Sequence, residues 1–398
     1  MDSELRQKLE KNIVKYAWYK IFTKRVYLPL VAIQLVNEGQ VTLAQIAIIA
    51  TVATITELIL QLPTGYVADK WGNRGAMIMG ASVSLFGPLL YIFWPSFIGG
   101  MLAAVLFFGG RSFISGSGEA FIHDTLKALS KDHQYSKVMG RSQSYGLMGN
   151  IVLITAVPAT YAIHPAMPFA FGFLAELILL YFAAVSFTYP SREHAPKKRN
   201  MFTATKNVLT KQNIALFVFA GVLGGIAHRS QEFRELLLQD QGVPVAWFGA
   251  ILAIGSVIGA VLGFYTHTLD KLPSKVFYLF DVCLLSGCLM LVGTAPSIWL
   301  MIAGLTIFVG YSRIRQIVFQ SKLLKDITHV YKASLLSTLS LFSIFGGIAV
   351  VNIVAYYIET YGLKTGHFYA GLSAISIGLV LWIILITRPQ SKPLQSTS

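Results

Sequence analysis

Charge is what this 398-residue chain has least of: only 13% of its residues are Asp, Glu, Lys or Arg. A soluble chain of that length carries roughly twice as much. Acid is scarcer still, with 18 Asp and Glu against 32 Lys and Arg. Long polar stretches are missing too, the longest being 189–212, so no soluble domain is expected to hold a nucleotide or an aqueous active site. No G-x-x-x-x-G-K-[ST] phosphate loop and no H-E-x-x-H pair occurs, which leaves ATP drive and zinc peptidase chemistry without support. Cysteine is down to two, Cys283 and Cys288, on one expected helix at a spacing that suits neither a disulfide nor a metal site. Both are expected to fill the core. No catalytic residue, metal or cofactor is expected. Residues 1–12 are polar and no small-residue cleavage site follows them, so the first helix is expected to serve as an uncleaved anchor.

What fills the chain instead is apolar: 55% of residues are hydrophobic and the mean hydropathy is +0.61. Apolar runs of about 19 to 27 residues recur, the length that spans about 30 Å of hydrocarbon as a helix. Twelve such runs predict an all-α integral membrane protein: a six-helix bundle over 1–188, a basic linker over 189–212, and a second six-helix bundle over 213–398. The formal net charge of +14 would suit nucleic acid, but its distribution excludes that partner. Most Lys and Arg fall in the two termini and in alternate loops (68–75, 125–141, 189–212, 268–275, 323–333), whereas the opposite loops hold Lys364 alone. That bias puts both termini in the cytoplasm, and the chain is expected to be multi-pass in the plasma membrane.

The loop after the second run reads Gly65-Tyr-Val-Ala-Asp69-Lys70-Trp-Gly72-Asn-Arg74. Its glycines allow a tight turn, and an acid beside cations fixes it by charge. Asp69, Lys70 and Arg74 return 201 residues later as Asp270, Lys271 and Lys275, and Arg111 falls one residue from a match with Arg313. Duplicated halves of this kind place a cavity between them at mid-depth. The loop resembles the G-x-x-x-D-[RK]-x-G-x-[RK] signature of the major facilitator superfamily, whose topology covers the whole chain. The resemblance implies that Gly65, Asp69, Lys70, Gly72 and Arg74 form a conformational switch between access states. Pro63-Thr64-Gly65 and Ser115-Gly116-Ser117-Gly118-Glu119-Ala120 with Asp124 are similar to a bacterial, drug-efflux-like branch. Gln61 stands where that branch often has an acid, and Glu57 is one turn away. The fifth run has Gly146, Gly149 and Pro158 without the glycine pair of proton-linked exporters, which leaves direction open.

Ionisable groups at mid-membrane usually face a cavity or each other. Here they stand on the first, fourth, seventh and tenth runs, the helices that line the central cavity in the superfamily. Lys20, Lys24 and Arg25 lie on the first; Arg111, Ser115, Glu119 and His123 follow one another at four-residue steps on the fourth. His228, Arg229, Glu232, Arg234 and Glu235 lie on the seventh, and Arg313 and Arg315 on the tenth. Glu119, Glu232 and Glu235 are the expected proton carriers, with Arg111 as a charge partner. Lys24, Arg25, Arg229 and Arg313 are the expected substrate-cavity cations. The set admits a plainer reading as structural ion pairs between helices. The function expected is secondary active transport by alternating access, a proton-coupled export (antiport) of a small organic compound by a monomer in the lipid bilayer. The rivals are proton-coupled import of an anionic metabolite, and a non-transporting lipid-handling or sensory protein of the same fold.

Overall fold

The computed structural model describes residues 3–23, 26–190, 211–325 and 332–387, with the side chains of 61–70, of 115–116 and of scattered other helical positions left out. The chain divides into two compact units, one of Met1–Lys197 with Pro244–Gly249, the other of Lys198–Val243 with Ala250–Ser398. Among the described residues, eleven helices are long and apolar enough to cross a membrane.

In the first unit, α1 spans Ser3–Phe22, and a short 3-10 turn at Leu28–Leu30 leads into α2, Val31–Asn37. The expected first span over 13–36 is therefore two pieces, the second of them a short apolar helix over Leu28–Asn37. Pro29 explains the restart: it has no N–H to give a continuous helix but suits the first turn of a new one. Lys24 and Arg25 lie outside the described residues. Next comes α3, Leu43–Ser84, opened by a reciprocal cap in which Thr42 Oγ1 accepts from the Gln45 N–H at 3.3 Å and Gln45 Oε1 accepts from the Thr42 N–H at 3.0 Å. The expected loop over 68–75 shrinks to one non-helical residue within α3, Gly72, at φ 77° and ψ 166°. Only glycine visits that region without strain.

The unit is completed by α4 (Phe86–Phe93), α5 (Phe97–Ala128), α6 (Tyr135–Ala159) and α7 (Met167–Tyr181), the last closing in a π turn at Phe182–Ser186. Helices α3 and α5 touch through small residues: a Cβ on Gly80 would come 2.6 Å from the Gly110 carbonyl oxygen. Without a hydrophobic drive between spans, such close backbone approach supplies the packing. The core gathers Tyr16 and Tyr19 of α1, Met77 and Ala81 of α3, Phe121 and Ile122 of α5, and Leu179 of α7.

In the second unit, α8 (Lys211–Arg229) ends in a 3-10 turn at Ser230–Phe233 before α9 (Arg234–Asp240). Then follow α10 (Phe248–Phe264), α11 (Thr266–Lys271), α12 (Ser274–Thr294), α13 (Ile298–Lys325), α14 (Lys332–Tyr361) and α15 (Leu363–Thr387). A glycine seam joins α8 to α14, where a Cβ on Gly346 would overlap the Gly221 carbonyl and one on Gly225 would lie 2.6 Å from Gly346. The loop between α11 and α12 is held by Lys322 of α13, whose Nζ donates to the Asp270 carbonyl at 3.1 Å and the Leu272 carbonyl at 2.6 Å. The cysteines divide: both are free thiols and Cys288 is buried, but Cys283 is exposed and fills no core. Position on α12 decides this, because five residues carry Cys283 to a different face from Cys288.

Candidate functional site

The signature loop is built at the bend of α3. Gly65, Asp69 and Lys70 lie on its helical backbone, and their side chains are outside the described set. Beyond Gly72, Asn73 Nδ2 donates to Asp124 Oδ2 at 2.8 Å near the end of α5, and Arg74 Nη2 donates to the Ala184 carbonyl at 2.8 Å. The Arg74 guanidinium also lies over the Tyr189 ring, 5.7 Å from its centre. Loop and helix ends are thus tied by a carboxylate, a carbonyl and an aromatic face.

Arg111 of α5 is buried, and its partner is Glu176 of α7. The Arg111 Nη1 to Glu176 Oε1 distance is 3.7 Å, Ser84 Oγ donates to Glu176 Oε2 at 2.6 Å, and Arg111 Nη2 donates to the Thr23 carbonyl. Glu119 is not in an ion pair with Arg111 among the described residues. It stands two turns further along α5, exposed, close enough to Tyr16, Lys20 and Tyr135 to interact with each electrostatically. The expected pairing of Arg111 with Glu119 gives way to one with Glu176 because a carboxylate from α7 reaches the buried guanidinium at its own level.

In the second unit the charges gather where α8 breaks. Arg229 Nη1 lies 2.7 Å from Glu232 Oε1, a pair that is partly exposed, with side-chain exposures of 23% and 35%. Arg234 Nε donates to Glu235 Oε1 at 3.1 Å and Nη1 to Gln231 Oε1 at 2.9 Å, and this pair is buried at 10% and 4%. Glu232 and Glu235 sense each other electrostatically, so the four charges form one cluster. Ser230 Oγ donates to the Ile226 carbonyl and Gln231 Nε2 to the Ala227 carbonyl at 2.5 Å, which satisfies carbonyls next to the turn. His228 is exposed and shares a hydrogen bond with Gln316 of α13. Arg313, also exposed on α13, is in electrostatic range of Arg234 and is in no ion pair among the described residues.

One buried constellation was not anticipated. Arg315 of α13 forks onto Asp281 of α12, Nε to Oδ1 at 2.8 Å and Nη2 to Oδ2 at 2.6 Å, and the Tyr311 hydroxyl donates to Oδ1 at 2.9 Å. Asp281 and Glu176 are each the one carboxylate in their apolar run, and that was the available signal. A lone acid in hydrocarbon needs a partner. Intramembrane charge is thus not confined to the first, fourth, seventh and tenth runs: Glu176 and Asp281 supply it from two others.

The model of the Major Facilitator Superfamily matches residues 20–321. The uncharacterized MFS-type transporter YxaM of Bacillus subtilis (strain 168) is 25% identical over 248 residues, 59% of this chain and 60% of that protein. The chain thus matches 60% of that relative's length. A crystal structure of a point mutant of the nucleoside transporter NupG superposes with a TM-score of 0.77 at 14% identity, over 96% of this chain and 99% of that one. A peptide transporter POT in complex with sulfate superposes with a TM-score of 0.72 at 12% identity, over 94% of each chain. At these identities the solved structures establish the fold.

Proposed function

The chain belongs to the major facilitator superfamily, and on that footing we propose that it exports a small organic solute in exchange for protons, using the charged break between α8 and α9. It is a multi-pass membrane transporter and not an enzyme. Localisation to the plasma membrane is part of the proposal, and so is the placing of both termini in the cytoplasm, which rests on the distribution of Lys and Arg.

The observation that carries this reading is the four-charge cluster at Arg229, Glu232, Arg234 and Glu235, inside a single span over Ile214–Asp240. The backbone there is a 3-10 turn with one pair buried and the other partly exposed. A proton on either carboxylate neutralises it and frees its arginine, so the two pairs can exchange partners as the helix halves shift. Such a charge switch is what links proton binding to a change of access. Glu119, exposed on α5, is the third proposed carrier, and the α3 bend at Gly72 with Arg74 and Asn73 is the proposed conformational switch. Export is assigned on the similarity of 63–65 and 115–120 to the efflux-like branch.

The test is flux in proteoliposomes under an imposed pH gradient. Glu232→Gln or Glu235→Gln should abolish pH-driven flux while solute exchange at equal pH persists. Normal pH-driven rates in all of Glu119→Gln, Glu232→Gln and Glu235→Gln would overturn the coupling. Import of an anionic solute is the second reading, and Arg313 favours it: an exposed guanidinium in a span, in electrostatic range of Arg234 and in no ion pair among the described residues. Accumulation inside right-side-out vesicles, with the interior alkaline, would select that reading over export.

A further inference from the structure

Helices α1 and α6 lie side by side and are tightest at two glycines. A Cβ on Gly149 would come 2.5 Å from Ile21 Cγ2, and one on Gly146 would come 3.1 Å from the Lys20 carbonyl oxygen. Toward the N-terminal ends of both helices they part and leave a cleft of about 600 Å³, within the range of small-molecule sites. Its two walls differ in kind. The α1 wall, from Ile13 to Ile21, presents Val14, Ala17 and Trp18 and no charge. The α6 wall presents Lys137, Arg141 and Tyr145, one per turn along a single face. Trp18 and Tyr145 are more than half exposed, at 57% and 55%.

Lys137 and Arg141 are exposed, and neither is in an ion pair among the described residues. They stand about 6 Å apart along the axis. Both fall within the first two turns of α6, among the basic residues of 125–141 that mark the cytoplasmic side. Two cations in no ion pair among the described residues, facing an apolar, aromatic wall across a cleft of small-molecule size, complement a molecule with an anionic end and a flat apolar body.

We propose that this cleft binds an amphipathic aromatic carboxylate. Arg141 takes the carboxylate through paired N–H bonds with Lys137 beside it, and the ring system lies between Trp18 and Tyr145. As a statement of substrate class this rests on the transport reading above, while as a binding site it does not.

The experiment is equilibrium binding of radiolabelled 2-naphthoate to the full chain in phosphatidylcholine nanodiscs, with 2-naphthylmethylammonium as the cationic counterpart. Wild type should bind the carboxylate and not the amine. Lys137→Gln with Arg141→Gln should weaken binding by at least about tenfold, the loss expected for charge-assisted contacts. The charge-conserving Lys137→Arg variant should retain binding, which separates lost charge from lost fold. No binding by wild type, equal binding of the amine, or unchanged affinity in the double variant would overturn the proposal. So would displacement of naphthoate by added phosphatidylglycerol in wild type alone, which would make the cleft a lipid headgroup site. Binding retained without pH-driven flux of any solute would overturn the transport reading and leave the cleft standing, whereas flux retained without naphthoate binding would do the reverse.

Discussion

Removing the carboxylate of Asp281 should be the most damaging single change of charge in the second unit. Asp281 and Arg315 are almost fully buried, with side-chain exposures of 0% and 4%. Among the described residues Arg315 has no other acid in an ion pair with it, so Asp281→Ala strands a guanidinium, and it deprives the Tyr311 hydroxyl of its acceptor. Breaking one partner of a buried pair costs about 3–5 kcal/mol, because the remaining charge is uncompensated. At about 2–4 °C per kcal/mol for a unit of this size, the unfolding midpoint in detergent should fall by roughly 6–20 °C. Heating of membrane proteins is often irreversible, so midpoints are compared at one scan rate. Asp281→Leu combined with Arg315→Met removes both charges and should recover most of that loss. The reasoning fails if Asp281→Ala melts with wild type, or if the double variant melts no higher than the single one.

The same assay separates structural pairs from moving ones. Arg111 and Glu176 are also buried, yet their contact is a single 3.7 Å approach and Arg111 Nη1 has no hydrogen-bond partner. Glu176→Gln keeps an oxygen for the Ser84 hydroxyl, and Arg111 keeps the Thr23 carbonyl. Its cost should therefore be about 1–3 kcal/mol, below that of Asp281→Ala. If the Asp281–Arg315 pair is static, the rescued double variant retains flux.

Two further outcomes follow from backbone geometry. Gly72→Ala forces a side chain into φ 77°, ψ 166° and should cost about 1–3 kcal/mol, whereas Gly287→Ala, in open space at ordinary helical angles, should be neutral or gain up to about 1 kcal/mol; midpoints of the two variants check the pair. Gly346→Val drives a side chain into the Gly221 backbone across the α8–α14 seam, and its yield of monodisperse protein should fall well below that of Gly287→Ala, since overpacking of a tight contact costs about 1–3 kcal/mol or more.

The spans were legible in the sequence because length and composition alone dictate them, and the turn in the signature loop was legible because Gly72 takes a positive φ there. The first run was misread where Pro29 restarts the helix within an apolar stretch. Partners were harder to read than charges. Arg111 stands out in its run, but Glu176 lies 65 residues further on and Ser84 lies 92 residues before Glu176; helical periodicity carries no information across that distance. Glu232 and Glu235, placed on one face by a 3.6-residue period, stay within electrostatic range of each other but take different arginines. Glu232 pairs with the partly exposed Arg229 and Glu235 with the buried Arg234, partners that a face assignment alone does not distinguish.

The repeat itself argues for reading Asp281 as scaffold. Position 80 stands 201 residues before 281 in the offset that aligns the two signature loops, and it is glycine. In the first unit Gly80 lets α3 press on α5, where a Cβ would come 2.6 Å from the Gly110 carbonyl oxygen and 3.0 Å from Phe113 Cβ. In the second unit the corresponding contact, α12 on α13, is made by Asp281 and Arg315. Two spans held by bare backbone approach in one unit are held by a forked ion pair in the other. A charge that both units needed for a shared motion would have a counterpart at the same offset, and Asp281 has none. What recurs is the acid and cations of the signature loop together with Arg111 and, one residue out of register, Arg313. Alanine at Arg313, which is exposed, should therefore impair flux at a smaller cost in stability than Asp281→Ala, and so should Arg111→Ala when Glu176→Gln removes the carboxylate it would strand. Two alanine variants that melt as low as Asp281→Ala and transport normally would show that the duplicated charges, too, are scaffold.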